Sequence, residues 1–222
     1  MIISYAICVC NESRDLYSLI SFLKKVKDVD DEINILVDTA HVSQQVLKVV
    51  DFFKDDIVVN ERDFDGNFSK HRNYHITNCK GDYIVVIDPD EMPQEKLIKS
   101  LKNIIQEANV DLIYIPRINL HPGYTQEWLD KYKFKVNEVG WINWPDYQGR
   151  IFKNIPSIRY TNKLHEDINC EGKKIGLPLE PSIALWHIKS IEKQDNRWNQ
   201  DTWEYVVPGD NLYDLLYSLI DE

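Results

Sequence analysis

Residues 67–91 read NFSKHRNYHITNCKGDYIVVIDPDE, and the fold is decided here. The apolar run 83–87 ends in Asp88, Asp90 and Glu91, divided only by Pro89. Five apolar residues in a row fit a strand covered on both faces, the pattern of a parallel sheet. Acids just past such a strand lie at its carboxyl end, where open α/β sheets bind ligands. Packing gives no reason for three carboxylates there, and they repel one another unless a cation lies between them. The stretch therefore predicts a cation site for a phosphorylated ligand.

Outward from this point, strands and helices alternate. Strands are expected at 2–9, 33–37, 57–59, 83–87 and 112–115. Helices are expected at 13–26, 42–53 and 69–79, with another from Pro93, a first-turn proline, to about residue 108. Leu16, Leu19, Ile20 and Leu23 share one face of the first helix. Such alternation predicts an α/β fold, a mostly parallel central sheet with helices on both faces. After Pro116 the rhythm breaks. Residues 118–147 show no clean period but hold Tyr124, Trp128, Tyr132, Phe134, Trp141, Trp144 and Tyr147, too many aromatics for a disordered segment. Short strands are expected at 148–153, near 160–168 and at 183–187, then a polar helix at 190–205. A terminal helix at 212–220 would pack on the body or on a second copy, which would make a homodimer.

The 222 residues suit one domain. A net charge of -10 without a basic stripe argues against nucleic acid as a partner. Residues 1–9 are apolar but lack a basic start and a cleavage site, and are too short to span a bilayer. They read as a first buried strand, with no integral membrane segment. The four cysteines show no zinc-type pairing, so they are expected as reduced thiols in a cytoplasmic protein, and the two glycosylation sequons carry no meaning.

Asp88-Pro89-Asp90 is an Asp-x-Asp triplet. Hard cations such as Mg²⁺ and Mn²⁺ take carboxylate oxygens together with ligand phosphates, and would neutralise a departing diphosphate. Surface loops carry this triplet often; its place after a buried strand is what raises it. The plain alternative is helix N-terminal charge, which is all that Glu91 is asked to supply. Upstream, Lys70, His71 and Arg72 start a helix and could hold phosphate or a nucleobase edge, with a solvated basic face as the alternative for Lys70 and His71.

The run GNFSKHRNYHITNCKGDYIVVIDPDE resembles the family 2 glycosyltransferase segment that reads Gly-x-Phe-Ser-x-x-Arg-Asn, then Gly-Asp/Glu-Tyr, then a strand into Asp-Ala-Asp-Glu. Cys10-Asn11-Glu12 matches that family's Asn-Glu step, and Val37-Asp38-Thr39 its Val-Asp position. Gln148-Gly149-Arg150-Ile151-Phe152, Leu164-His165-Glu166 and Trp186-His187-Ile188 resemble elements of its lipopolysaccharide-core glucosyltransferase branch.

The resemblance implies a GT-A fold with a nucleotide-sugar half at 1–117, an acceptor side at 118–190 and C-terminal helices at 191–222. It implies that Asn11, Glu12 and Asp38 hold base and ribose, with Arg72 on base or phosphate. Asp88 would reach the ribose or the metal, Pro89 would line the donor, and Asp90 would be the principal ligand of Mn²⁺ or Mg²⁺. His187 would approach the metal, with a hydrogen-bonded core histidine as the equal alternative. Inverting transfer needs a base on the acceptor hydroxyl. Glu166 is the expected base and Asp146 the reserve. Pro89 replaces a small residue of the family's triplet, and Asp38-Thr39-Ala40-His41 lacks its Gly-Ser pair.

The reading is an inverting glycosyltransferase using a nucleotide-diphosphate sugar, a UDP-sugar being favoured, and a saccharide or lipid-linked saccharide acceptor. The last would bring it to a membrane surface peripherally. A sugar nucleotidyltransferase would want a Gly-rich phosphate loop, and residues 8–15, CVCNESRD, have no glycine. The third alternative is a domain of this fold that binds nucleotide or glycan without turnover.

Overall fold

The computed structural model describes residues 1–196. In chain order the elements are β1 (Ile3–Val9), α1 (Ser13–Val26), β2 (Glu32–Asp38), α2 (Gln44–Phe52), β3 (Val58–Arg62) and α3 (Phe68–Thr77). Then come β4 (Tyr83–Val86), β5 (Glu91–Pro93), α4 (Glu95–Ala108), β6 (Leu112–Leu120), α5 (Gln126–Tyr132) and β7 (Ile142–Lys153). Last are β8 (Arg159–Thr161), β9 (Asp167–Asn169), β10 (Lys174–Gly176), β11 (Leu185–Ile188) and α6 (Ile191–Asp195). The rest of the helix expected at 190–205, and the terminal helix at 212–220, lie outside the described residues.

A nine-stranded sheet runs β3-β2-β1-β4-β7-β6-β11-β5, with β10 joined to β6. The first four strands are parallel, as the buried apolar runs require. β7 enters antiparallel between β4 and β6, and β5 lies antiparallel to β11. Period-2 alternation splits β1 between two cores. Ile3, Tyr5, Ile7 and Val9 meet the α1 stripe of Leu16, Leu19, Ile20 and Leu23, together with Leu97 and Leu101 of α4. Ala6 meets Ile76, Phe152, Tyr160 and Ile168 on the other face. The i, i+3, i+4, i+7 spacing in α1 makes that stripe continuous, and each fully buried Leu or Ile contributes roughly 1.5–3 kcal/mol.

Three expectations are corrected. The strand expected to stop before Pro116 runs on to Leu120, with register shifts on both sides of the proline. Residues 91–93 form a strand and the helix starts at Glu95, so Glu91 serves no helix end. The stretch near 160–168 is a two-stranded hairpin of β8 and β9. In 118–147, which showed no periodicity, Trp128, Leu129 and Ile142 form a small core with Tyr132 and Phe134.

Candidate active site

The carboxyl ends of β1, β2 and β4 open on a cavity of about 1390 Å³, lined by Asn11, Glu12, Asp38, Arg72, Pro89 and His187 among others. Glu12 precedes α1 without capping it. Its Oε2 instead accepts the amides of Cys10 at 3.3 Å and Asn11 at 3.1 Å. Burial raises its pKa, against the attraction of Lys193. Asp38, at the end of β2, accepts the amides of Ala40 at 3.1 Å and Phe64 at 3.0 Å on Oδ1, and meets His41 Nδ1 at 2.8 Å on Oδ2. It thus ties two cleft loops together at the expected ribose position. His71, 5% exposed, packs edge-on to Phe64 at 5.4 Å, and burial lowers its pKa to about 4.

The triplet forms a tight turn. The Glu91 amide donates to the Asp88 carbonyl at 2.9 Å, and Glu91 Oε2 accepts the Asp88 amide at 3.1 Å. Pro89 takes the second place of that turn, where its fixed φ fits and no N–H is needed. The turn separates the two aspartates. Asp88 faces the chain's own arginines, Oδ1 accepting from Arg72 Nη2 at 2.8 Å and Oδ2 from Arg150 Nη2 at 2.6 Å. Burial opposes its charge, but the two guanidiniums hold its carboxyl far below the usual range. Each Asp88 oxygen thus accepts from one arginine, at the position expected to reach ribose or metal.

Charges alternate through the site. Arg72 Nε donates to Glu166 Oε1 at 2.7 Å, while Arg150 Nη2 and Arg117 Nη1 converge on Glu91 Oε1 at 2.6 and 2.9 Å. The Glu91 side chain is fully buried, at 0% exposure. Arg117 continues to Asp146 Oδ2 through Nε at 2.9 Å and Nη2 at 2.7 Å. Asn119 Nδ2 also donates to Asp146 Oδ2, at 2.9 Å, and Gln148 Nε2 to its Oδ1 at 2.7 Å. Burial works against the Asp146 charge, yet Arg117 and these donors lower its pKa. A carboxylate so engaged is a poor proton acceptor, which weakens Asp146 as the reserve base. Glu166 lines the cleft and, among the described residues, is paired with Arg72.

Asp90 points the other way. Its Oδ2 lies 3.6 Å from His187 Nε2 and 3.2 Å from Lys193 Nζ. Burial opposes the Asp90 charge, and Lys193 and His187 hold its pKa well below the ordinary value. His187 Nδ1 meets Asn119 Oδ1 at 2.8 Å. The amide of Asn119 is oriented by donating to Asp146 and to the Ile142 carbonyl. Its oxygen must then accept from His187, so in the neutral ring Nε2 presents a lone pair towards Asp90. Two acceptors facing each other ask for a cation between them, and a hydrogen-bonded far nitrogen is how metal-binding imidazoles are oriented. The pair fits a hard cation that keeps other positions for phosphate oxygens. Among the described residues no three His, Cys, Asp or Glu side chains converge as a closed cage.

Among the described residues, Arg72 Nη1, Arg150 Nε and the Tyr160 hydroxyl are buried without a partner. All three residues line the cleft and leave donors for a ligand or for water. Sequence reasoning gave no role to Arg150, though it stood in a matched motif, and missed Arg117, Asn119, Tyr160 and Lys193.

The family profile described as "Glycosyl transferase family 2" matches residues 4–164. No curated protein matches the chain. Among solved structures, S. aureus TarS 1-349 in complex with UDP-GlcNAc superposes with a TM-score of 0.59 at 14% identity, covering 85% of this chain and 59% of that one. The same fragment with UDP gives 0.58 at 14% identity over 87% and 62%. The longer S. aureus TarS gives 0.58 at 15% identity over 87% of this chain and 38% of that one. The chain thus spans less than two thirds of these relatives, and the likeness is one of fold.

Proposed function

The chain belongs to glycosyl transferase family 2, and from that membership we propose a metal-dependent inverting glycosyltransferase that takes its sugar from a nucleotide diphosphate. The facing pair of Asp90 and His187, oriented through Asn119, is the observation that carries this reading. A divalent cation there, Mn²⁺ or Mg²⁺, would supply positive charge to a departing diphosphate. Asn11, Glu12 and Asp38 would receive the base and ribose, and Arg72 Nη1 would remain for a ligand oxygen. Asp88 would act by fixing Arg72 and Arg150. Glu166 would take the proton from the acceptor hydroxyl as that oxygen bonds to the anomeric carbon and the bond to the diphosphate breaks.

A UDP-sugar is the favoured donor, because solved relatives carry UDP-GlcNAc or UDP. The acceptor would be a saccharide or lipid-linked saccharide held by residues 118–190, in keeping with the likeness of residues 148–152, 164–166 and 186–188 to the lipopolysaccharide-core branch. A lipid-linked acceptor would place the protein at a membrane surface; among the described residues no helix is long and apolar enough to cross one. Purified protein incubated with Mn²⁺ and a panel of UDP-, GDP- and dTDP-sugars is expected to hydrolyse one donor slowly. That activity should vanish in Asp90→Asn. No thermal shift with any donor would sink the reading.

A further inference from the structure

The turn after β11 ends in Ser190, whose hydroxyl accepts the amide of Lys193 and caps α6. The capped helix holds the Lys193 ammonium 3.2 Å from Asp90 Oδ2 and 4.0 Å from each of Glu12 Oε1 and Asp15 Oδ2. Glu12 and Asp15 come from the start of α1 and Asp90 from the turn after β4, so the ammonium bridges separate elements of the cleft. It contacts the same oxygen, Asp90 Oδ2, that His187 faces.

The ammonium is shared among three carboxylates, and Lys189 adds its own attraction to Asp90. An ammonium so engaged has carboxylates, not a diphosphate, as its partners at this position. A second positive charge beside Asp90 would reverse the balance, because it would repel the ammonium from Asp90. Glu12 and Asp15 would remain beside it, and a phosphate oxygen arriving with the cation would add a further counter-charge. A fixed strap joining α6 to the body would show no such exchange.

We infer that Lys193 is a donor-site residue: it holds the cation position at Asp90 while the cleft is without donor, and yields that position to bind the donor's diphosphate. The inference rests on the proposed cation site at Asp90 and His187 for its first half and on the nucleotide-diphosphate reading for its second. Its first half is tested without nucleotide, by titrating the full chain with Mn²⁺ and following free Mn²⁺ by electron paramagnetic resonance. Lys193→Met is expected to bind Mn²⁺ about tenfold more tightly than wild type, the size of an ordinary coupling between two sites. Lys193→Gln repeats the measurement if Met disturbs α6, and Lys193→Arg should stay near wild type.

The second half is read by calorimetry with UDP at saturating Mn²⁺, where the neutral variants should bind about tenfold more weakly. Unchanged or weaker Mn²⁺ binding in both neutral variants overturns the place-holding role, as does no Mn²⁺ binding by any form. Unchanged UDP affinity overturns the diphosphate contact. If wild type itself ignores UDP and every other nucleotide diphosphate, the donor reading falls, while the Mn²⁺ titration still decides whether Lys193 holds the cation position.

Discussion

Asn119 Oδ1 accepts a hydrogen bond from His187 Nδ1 at 2.8 Å, across the parallel register of β6 and β11. That bond decides which imidazole nitrogen faces Asp90. Asn119→Ala removes the acceptor and frees the ring to turn, so Mn²⁺ affinity is expected to fall about 10- to 100-fold. Asn119→Asp keeps an acceptor for His187 but loses the amide that donates to Asp146, and should retain more affinity than Ala. Equal Mn²⁺ binding by Asn119→Ala and wild type would show that the ring needs no such support.

Arg150 stands between Asp88 and Glu91, with a side chain 8% exposed against 28% and 0%. Burial works against its charge, yet the two carboxylates raise its pKa far above the ordinary range. Arg150→Met leaves Arg117 for Glu91 and Arg72 for Asp88, each carboxylate thus half served. Breaking a buried pair by removing one partner costs about 3–5 kcal/mol. A loss of that size is expected in urea unfolding, and a change below ~1 kcal/mol would mean that water replaces the guanidinium at little cost.

Burial lowers the pKa of three histidines, His71 to about 4, His75 to about 3 and His121 to about 4. Each is neutral in the folded chain where the unfolded chain, with a pKa near ~6.5, takes a proton. Their contribution is therefore full above ~6.5 and is lost as pH falls towards the folded values, by about 1.4 kcal/mol per pH unit for each imidazole. The lowered aspartates have the same sign but act later: their contribution is full above ~3.9 and lost below it. Stability is thus expected to drop between about pH 6.5 and 4, ahead of the lowered aspartates, with Glu12, whose pKa burial raises, offsetting part of the slope. His71→Phe, which keeps the packing on Phe64, should flatten that slope by one proton. An identical slope in wild type and variant would place His71 outside the account.

The front of the fold was legible because each β-α step buries an apolar run and an amphipathic stripe, and both periods survive in the sequence. The acids of residues 88–91 were legible as a group but not as individuals. Their division, Asp88 to arginines, Asp90 to His187 and Glu91 into the interior, depends on a turn whose reach is set by Pro89. Arg117 and Asn119 were hidden for a different reason. Residues 117–121, RINLH, alternate polar and apolar as a strand should, but the preceding proline argues locally for a stop. The central pairing with β7 and β11 overrides that argument through its register shifts. Lys193 left no trace in sequence, since a lysine in a polar helix reads as solvated until the fold lays it on Asp90.

Glu166 and Asp146 are separated by what each already holds. Asp146 accepts four side-chain hydrogen bonds, from Arg117 twice, Asn119 and Gln148, and its lowered pKa follows from them. Among the described residues Glu166 accepts a bond from Arg72 Nε, and it sits on the cleft wall beside His165. Glu166→Gln keeps an oxygen for Arg72 but no longer takes a proton. Transfer is expected to fall about 10²- to 10⁴-fold, the usual contribution of a general base, with UDP affinity and melting temperature near wild type. Asp146→Asn should instead lower stability and Mn²⁺ affinity together, because it loosens Arg117 and the Asn119 amide that orients His187. If Glu166→Gln transfers at the wild-type rate while Asp146→Asn loses transfer with binding intact, the two roles are reversed. The proton would then leave through a carboxylate held by four donors.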